Sequence, residues 1–72
     1  MDLTLDSASI GSTLQQARLR AGRSGRDLAR QLGMDHADLL RIERGRTTTL
    51  QRYSQIAAAL GLTLRVRVRR AA

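Results

Sequence analysis

Three side chains of this 72-residue sequence are of the types that form a nucleophile, base and acid triad: Ser24, His36 and Asp38. Such a triad would perform acyl transfer, with the imidazole activating the serine hydroxyl. Ser24 and Asp38, however, fall where helices are expected to start, at positions that cap or stabilise a helix N-terminus. The sequence has no cysteine and a single histidine. We therefore expect no enzyme, no metal site and no cofactor.

The cationic side chains carry a different chemistry, and all thirteen of them are arginine. The net charge is +7 and the isoelectric point is about 11.8. Eight arginines follow residue 40, where Glu43 is the only acid, whereas residues 1–40 are close to neutral. This asymmetry indicates a polyanionic partner, most often nucleic acid; a solvated surface in an arginine-biased genome is the alternative. Tyr53 is the only aromatic residue, which argues against single-strand binding by base stacking.

Length and hydropathy set the broad class of the protein. A chain of this size favours one domain, residues 1–72, with a modest core that gains from association. No apolar run approaches the roughly 20 residues that cross a bilayer. The opening MDLTLDSAS has two aspartates and no basic residue, unlike a secretory signal. We expect a cytoplasmic protein with no membrane partner and no small-molecule substrate.

Four segments of the chain carry apolar residues at helical spacing, between about residues 7 and 61. Each pattern stops at a glycine, as helices do at their C-terminal caps. Each also begins near a side chain that can accept a hydrogen bond from the first turn. The expected N-caps are Asp6 or Ser7, Ser24, Asp35, and Thr48 or Thr49; the terminal glycines are Gly22, Gly33, Gly45 and Gly61. We therefore predict a mainly α fold, a compact four-helix domain.

The same spacing predicts which side chains form the core. Residues three or four apart share one face of a helix, so each helix presents one apolar stripe. The expected inward residues are Ile10, Leu14, Ala17 and Ala21, then Leu28, Ala29 and Leu32, then Leu39 and Ile42, and finally Leu50, Tyr53, Ile56, Ala57 and Leu60.

The final segment, LTLRVRVRR, changes from the helical period to an alternation of two. We predict a strand over about residues 62–69, which needs a partner for its unpaired edges. The expected partner is the same strand of a second chain, related by a two-fold axis, which makes the protein a homodimer. Residues 2–6, DLTLD, also alternate and are a second candidate for pairing. The apolar, dimer-forming side chains would be Leu62, Leu64, Val66 and Val68.

Residues 25–44, GRDLARQLGMDHADLLRIER, hold the most specific pattern. Two short helices meet at Gly33, which can take the positive φ of a tight turn. Ala29, four residues earlier, is small enough to let the second helix cross close over the first. This spacing is typical of a helix-turn-helix, whose second helix enters the DNA major groove; an ordinary helical hairpin is the alternative. The apolar contacts would come from Leu28, Leu32, Met34, Leu39 and Ile42.

From about Ser12 to Val68 the chain resembles the Xre or phage-repressor type of helix-turn-helix protein. The resemblance rests on LARQLGMDHADLLRIERGR followed by TTLQRYSQIAAALGL. The fourth helix followed directly by an alternating strand is most similar to HipB-type antitoxins. The resemblance implies a dimeric repressor of its own operon, which binds an inverted-repeat operator and a HipA-type kinase toxin. A stand-alone regulator of the same fold, or a protein-interaction domain with weakened DNA binding, remains open.

The resemblance also implies that the start of the third helix contacts bases. Arg41 would fork onto guanine O6 and N7, His36 would donate to a guanine or a phosphate, and Ala37 would touch a thymine methyl. Asp38 would accept from a cytosine amino group or only stabilise the helix start. Leu40, apolar where exposure is expected, would pack on a thymine methyl or on a partner protein.

Further roles implied by the resemblance concern DNA phosphates and one ion pair. The family has a glutamine at the first residue of the second helix, where this chain has Gly25. The backbone N–H of Gly25 can still bind phosphate. The neighbouring Arg23 and Arg26 would compensate for the missing side-chain contact. Arg18 and Glu43 correspond to a structural pair that locks the third helix to the first. The implied phosphate-binding residues are Ser24, Gly25, Arg26, Arg44, Arg46, Thr47 and Thr48.

Overall fold

The computed structural model describes residues 7–65, and four α-helices occupy most of that range. Helix α1 packs against α3 and α4, and α2 packs against the same two helices. The fold is therefore mainly α, as predicted, and has the arrangement of a helix-turn-helix domain. The helices are α1 (Ser7–Arg20), α2 (Gly25–Leu32), α3 (His36–Glu43) and α4 (Leu50–Ala59).

One apolar core lies between the helices. Leu28, Leu39 and Ile56 have no exposed surface, and they come from α2, α3 and α4 respectively. Helix α1 adds Ile10 and Leu14, which are also buried. Each large aliphatic side chain buried in this way contributes about 1.5–3 kcal/mol relative to exposure. The remaining buried apolar residues are Ala29, Ile42, Tyr53 and Ala57, with Leu32, Met34, Ala59, Leu60 and Leu64 half-buried around them.

Each helix is followed within two residues by a glycine in the left-handed region, which confirms the four predicted terminal glycines. In every case the N–H of the residue after that glycine donates to a carbonyl five residues earlier, as in a Schellman motif. At Gly33, with φ of 64°, this bond joins Met34 N–H to the Ala29 carbonyl at 3.0 Å. A side chain at this φ would be strained, so glycine permits the turn that sets the direction of α3.

The N-terminal caps follow the prediction at two helices and differ at a third. The Ser24 hydroxyl accepts from the Asp27 N–H at 3.1 Å, and the Thr49 hydroxyl accepts from the Arg52 N–H at 3.0 Å. Asp35 occupies the N-cap position of α3, but its side chain makes no capping hydrogen bond. The predicted N-cap position is therefore confirmed without its side-chain hydrogen bond, and Asp38 supplies the negative charge in the first turn of α3. Asp6 lies outside the described residues.

Two residues expected in the core are exposed. Leu50 is 49% exposed because it is the first residue of α4, one turn before the buried Tyr53, and lies beyond the packed part of the helix. Ala21 is exposed because α1 ends at Arg20 and the chain turns at Gly22. The helical spacing therefore predicted one core residue too many at the end of α1 and one too many at the start of α4.

The segment after α4 begins the predicted dimerisation strand. Residues 62–65 have neither helical nor strand conformation, while Val66 and Val68, like residues 2–6, lie outside the described residues. Leu64 is half-buried against the core, and Leu62 is 42% exposed. Pairing between two chains has no test in a single chain, so the strand and the homodimer stay predictions.

Candidate nucleic-acid interface

A buried ion pair fixes the C-terminal end of α3 to α1. Arg18 and Glu43 are only 7% and 4% exposed. The Arg18 Nε donates to Glu43 Oε2 at 2.7 Å, and Nη2 donates to Oε1 at 2.9 Å. This bidentate hydrogen bonding raises the pKa of Arg18, against the lowering effect of burial, and the Coulombic attraction of Glu43 adds to the rise. The guanidinium of Arg18 is therefore charged at every pH below its ordinary pKa.

The same arginine starts a hydrogen-bond chain that reaches α4. Arg18 Nη1 donates to the Arg23 carbonyl at 2.9 Å, and Arg23 Nη1 donates to the Ala59 carbonyl, also at 2.9 Å. Arg23 Nη2 donates to the Gln31 side chain of α2. Arg23 therefore joins α2 and α4 in the free protein, and its compensating contact with a DNA phosphate stays a prediction. Local sequence patterns carry no signal for a contact between residues 23 and 59.

The outer face of α3, together with its C-cap residue Arg44, carries an exposed strip of three residues: Ala37, Arg41 and Arg44. Their spacing of four and three places them one above the other on a helix surface. Leu39 and Ile42 occupy the opposite, buried face. Arg44 makes no side-chain hydrogen bond or ion pair with any of the residues that the structure describes. The strip therefore offers a small apolar contact and two guanidinium groups to a molecule outside.

On one side of this strip, His36 and Leu40 of α3 lie against the start of α2. A Cβ atom at Gly25 would lie 2.9 Å from Nε2 of His36 and 3.5 Å from Cδ2 of Leu40. Gly25 itself is buried, and His36 and Leu40 are half-buried. The imidazole thus occupies the space that a side chain at position 25 would need, whereas Leu40 lies at an ordinary van der Waals distance from it. This contact accounts for the apolar Leu40 on the outer part of α3.

The other flank of the strip is a charged cluster. Arg41 Nη1 and Arg46 Nη1 both donate to Oδ1 of Asp38, at 2.8 Å and 3.3 Å. Asp38 and Arg41 are three residues apart on α3, and Arg46 lies in the loop that follows. The three side chains are between 47% and 58% exposed. Asp38 is therefore occupied by two arginines in the free protein.

The predicted phosphate-binding residues fall on both sides of α3. Ser24, Gly25 and Arg26 lie at the start of α2, where only Gly25 is covered. Arg44, Arg46, Thr47 and Thr48 lie at the end of α3 and in the loop before α4. The Thr48 N–H donates to the hydroxyl of the buried Tyr53 at 3.4 Å, which anchors that loop. Their contact with DNA stays a prediction, as does the reading of bases by His36, Ala37, Asp38, Leu40 and Arg41.

Sequence reasoning missed one residue that positions α3. Gly11 of α1 is buried, and a Cβ atom there would lie 2.2 Å from the Ile42 carbonyl oxygen and 3.0 Å from that of Glu43. The absence of a side chain lets α1 approach the backbone of α3 directly. The only local signal is a glycine inside an otherwise helical pattern.

Other kinds of site lack support within the described part of the chain. No group of three or more His, Cys, Asp or Glu residues in residues 7–65 lies close enough together to hold a metal ion. None of the helices described combines the length and apolar character that crossing a bilayer requires.

The chain matches a known protein family over most of its length. A family model described as a helix-turn-helix domain matches residues 9–71, which is most of the chain and includes α2, α3 and α4 entirely. Neither a curated protein nor a solved structure shows significant similarity to the chain.

Proposed function

The chain belongs to the helix-turn-helix domain family, and from that membership we propose that it is a sequence-specific repressor that binds double-stranded DNA. Family membership indicates a DNA-binding regulator. The observation that carries the proposal further is the exposed strip Ala37, Arg41 and Arg44 on a helix whose opposite side is locked to α1. A rigid helix with a polar outer face suits insertion into the major groove. The protein acts by binding and has no catalytic role.

In the proposed complex α3 lies in the major groove and the two flanks of the strip meet the backbone. Arg41 forks onto a guanine edge and the Ala37 methyl contacts a thymine methyl. Arg44 and Arg46 on one side, and Arg26 on the other, neutralise phosphates. The net charge of +7 steers the protein to DNA before any base is recognised.

Selection from a randomised duplex pool tests the sequence specificity. The wild-type chain should enrich one motif, and a dimer should enrich it as an inverted repeat with half-site centres about 10 base pairs apart. Enrichment should be weaker with Arg41→Ala, since that variant keeps the fold but lacks the guanidinium. A wild-type pool that stays random after repeated rounds would contradict the proposal.

A homodimer through residues 62–69 is part of the proposal. The exposed Leu62 and the modest core support it, since a second chain would cover apolar surface that one chain leaves open. Two copies of α3 would then lie one DNA turn apart, roughly 34 Å. Sedimentation should find wild type dimeric, Leu62→Arg monomeric, and the control Leu19→Arg, at another exposed leucine, still dimeric. A monomeric wild type, or identical behaviour of both variants, would refute it.

Within this function the resemblance to HipB-type proteins supports an antitoxin that represses its own operon and binds a HipA-type kinase toxin. Co-expression with a kinase-like protein from the adjacent gene should yield a stable complex and relieve growth arrest. If the kinase-like protein remains toxic when the chain is co-expressed, the antitoxin role is contradicted and a stand-alone transcriptional regulator is the remaining interpretation.

A protein-interaction domain with weakened DNA binding is the second candidate. Gly25 removes a side-chain phosphate contact, and Asp38 occupies two arginines that would otherwise face DNA. Affinity for random duplex that does not change between about 50 and 200 mM salt would favour this candidate, because phosphate contacts make binding strongly salt-dependent.

A further inference from the structure

Asp38 lies between two arginines that the proposed function assigns to different tasks. Arg41 belongs to the exposed strip of α3, where it would contact a base, and Arg46 lies in the loop that would contact phosphate. In both arginines Nη1 donates a hydrogen bond to the same oxygen, Oδ1 of Asp38. One carboxylate therefore sets the position of both guanidinium groups before any DNA arrives.

The contact leaves Arg41 able to recognise a base. With Nη1 directed at Asp38, the Nε and Nη2 donors of Arg41 make no other described hydrogen bond and can still form a fork. A guanine edge offers two acceptors, O6 and N7, to such a fork. Because the side chain is already oriented, binding guanine requires less loss of rotamer freedom than it would for an unrestrained arginine.

The same contact reduces binding to phosphate alone. Arg46 must weaken its bond to Asp38 to reach a phosphate, and the carboxylate repels phosphates near both arginines. An exposed ion pair is weak enough for DNA to displace. At a correct site the base contacts offset the free energy of breaking the Arg46–Asp38 pair. On random DNA there are no base contacts to offset it.

We infer that Asp38 is a specificity-determining positioning residue: it orients Arg41 for a guanine and restrains Arg46, so that correct DNA is favoured over random DNA. The inference rests on the proposed function and changes the role of Asp38 within it. Asp38 acts through the two arginines, and it need not touch a base.

The chain offers a matched control for removing the charge of Asp38. Asp27 occupies the equivalent third position of α2 and pairs loosely with Arg30, three residues on, at 3.9 Å. Asp27→Asn and Asp38→Asn thus change the net charge equally and each remove one helix-dipole contact. Only Asp38→Asn removes a charge that holds arginines at the outer face of α3.

The experiment measures the affinity of wild type, Asp27→Asn and Asp38→Asn for a duplex enriched by wild-type selection and for a scrambled duplex. Asp38→Asn should bind the scrambled duplex more tightly, with a steeper salt dependence, and its preference for the enriched duplex should fall about tenfold. Asp27→Asn should keep the wild-type preference. Asp38→Ala, which also removes the acceptor oxygen, should lose at least as much preference as Asp38→Asn.

Two other outcomes overturn the inference and are distinguishable. If Asp38→Asn and Asp27→Asn keep the same preference as wild type, Asp38 has no part in specificity although the proposed function stands. If wild type itself enriches no duplex, the proposed function fails, and the inference falls with it.

Discussion

At the scale of single residues, the Arg18–Glu43 pair has the largest energetic consequence. Glu43→Ala leaves a buried guanidinium without its carboxylate, which typically costs 3–5 kcal/mol, so we expect the free energy of unfolding to fall by about 3 kcal/mol. Urea denaturation followed by circular dichroism measures it. Replacing both partners, as in Arg18→Met with Glu43→Leu, should recover part of the loss. Unchanged stability together with an altered base preference would show that Glu43 reads DNA.

Arg41 and Arg44 provide a matched pair of substitutions on the exposed strip of α3. Arg41→Ala removes a base contact, so the preference for the enriched duplex should fall by about tenfold or more. Arg44→Ala removes a phosphate contact, so affinity for all duplexes should fall together and the salt slope should decrease by about 0.9. Titrations at several salt concentrations separate the two effects. Equal loss of preference in both variants would contradict this division.

The His36 ring packs against Gly25, in the space that a side chain at position 25 would fill. In Gly25→Ala the new methyl would displace the imidazole, which is the free end of a flexible side chain, so the fold should keep its melting temperature. If His36 contacts DNA, Gly25→Ala and His36→Ala should each weaken binding, and the double variant should be no weaker than His36→Ala. Additive losses would show that the two residues act independently.

At the scale of elements, the fold depends on how closely α1 approaches α3. Gly11→Ala would place a methyl 2.2 Å from the Ile42 carbonyl oxygen, and backbone cannot turn aside as a side chain can. We expect a loss of at least about 2 kcal/mol, within or above the usual range for overpacking. Gly25→Ala, the other buried helical glycine with a close neighbour, is the control that should remain stable. Equal melting temperatures for both variants would contradict the close helix approach.

The sequence was sufficient to predict the four helices because their signals are local. Helical spacing, Ser24 and Thr49 at N-caps, and the terminal glycines each depend on residues within five positions of one another. Such contacts form in nearly the same way whatever the helices pack against. The ends of the apolar stripes, at Ala21 and Leu50, were wrong because the packed length of a helix depends on its neighbours.

The contacts between elements were the part that local patterns did not reveal. Gly11 against Ile42, Arg23 with Ala59, and His36 over Gly25 join residues 11 to 36 positions apart. They depend on crossing angles and distances that follow from the assembled core. Arg18 with Glu43 was the exception, because the family resemblance carried that pair and the two side chains lie in contact as it implied.

At the scale of the whole molecule, charge and anchoring act together. The arginines are concentrated after residue 40, and α3 lies between two flanks that keep its outer strip in place: Gly25 with His36 and Leu40, and Asp38 with Arg46. Long-range attraction brings such a protein to any DNA, and the anchored strip then separates one sequence from another.

The most direct test of this account is a titration of wild type onto two duplexes of equal length at near-physiological salt. One duplex carries the sequence enriched by selection, and the other carries the same bases scrambled. A regulator that reads bases through α3 should prefer the first by about a thousandfold or more, and Arg41→Ala should lose most of that preference. Equal and weak binding to both duplexes would contradict sequence recognition by this helix.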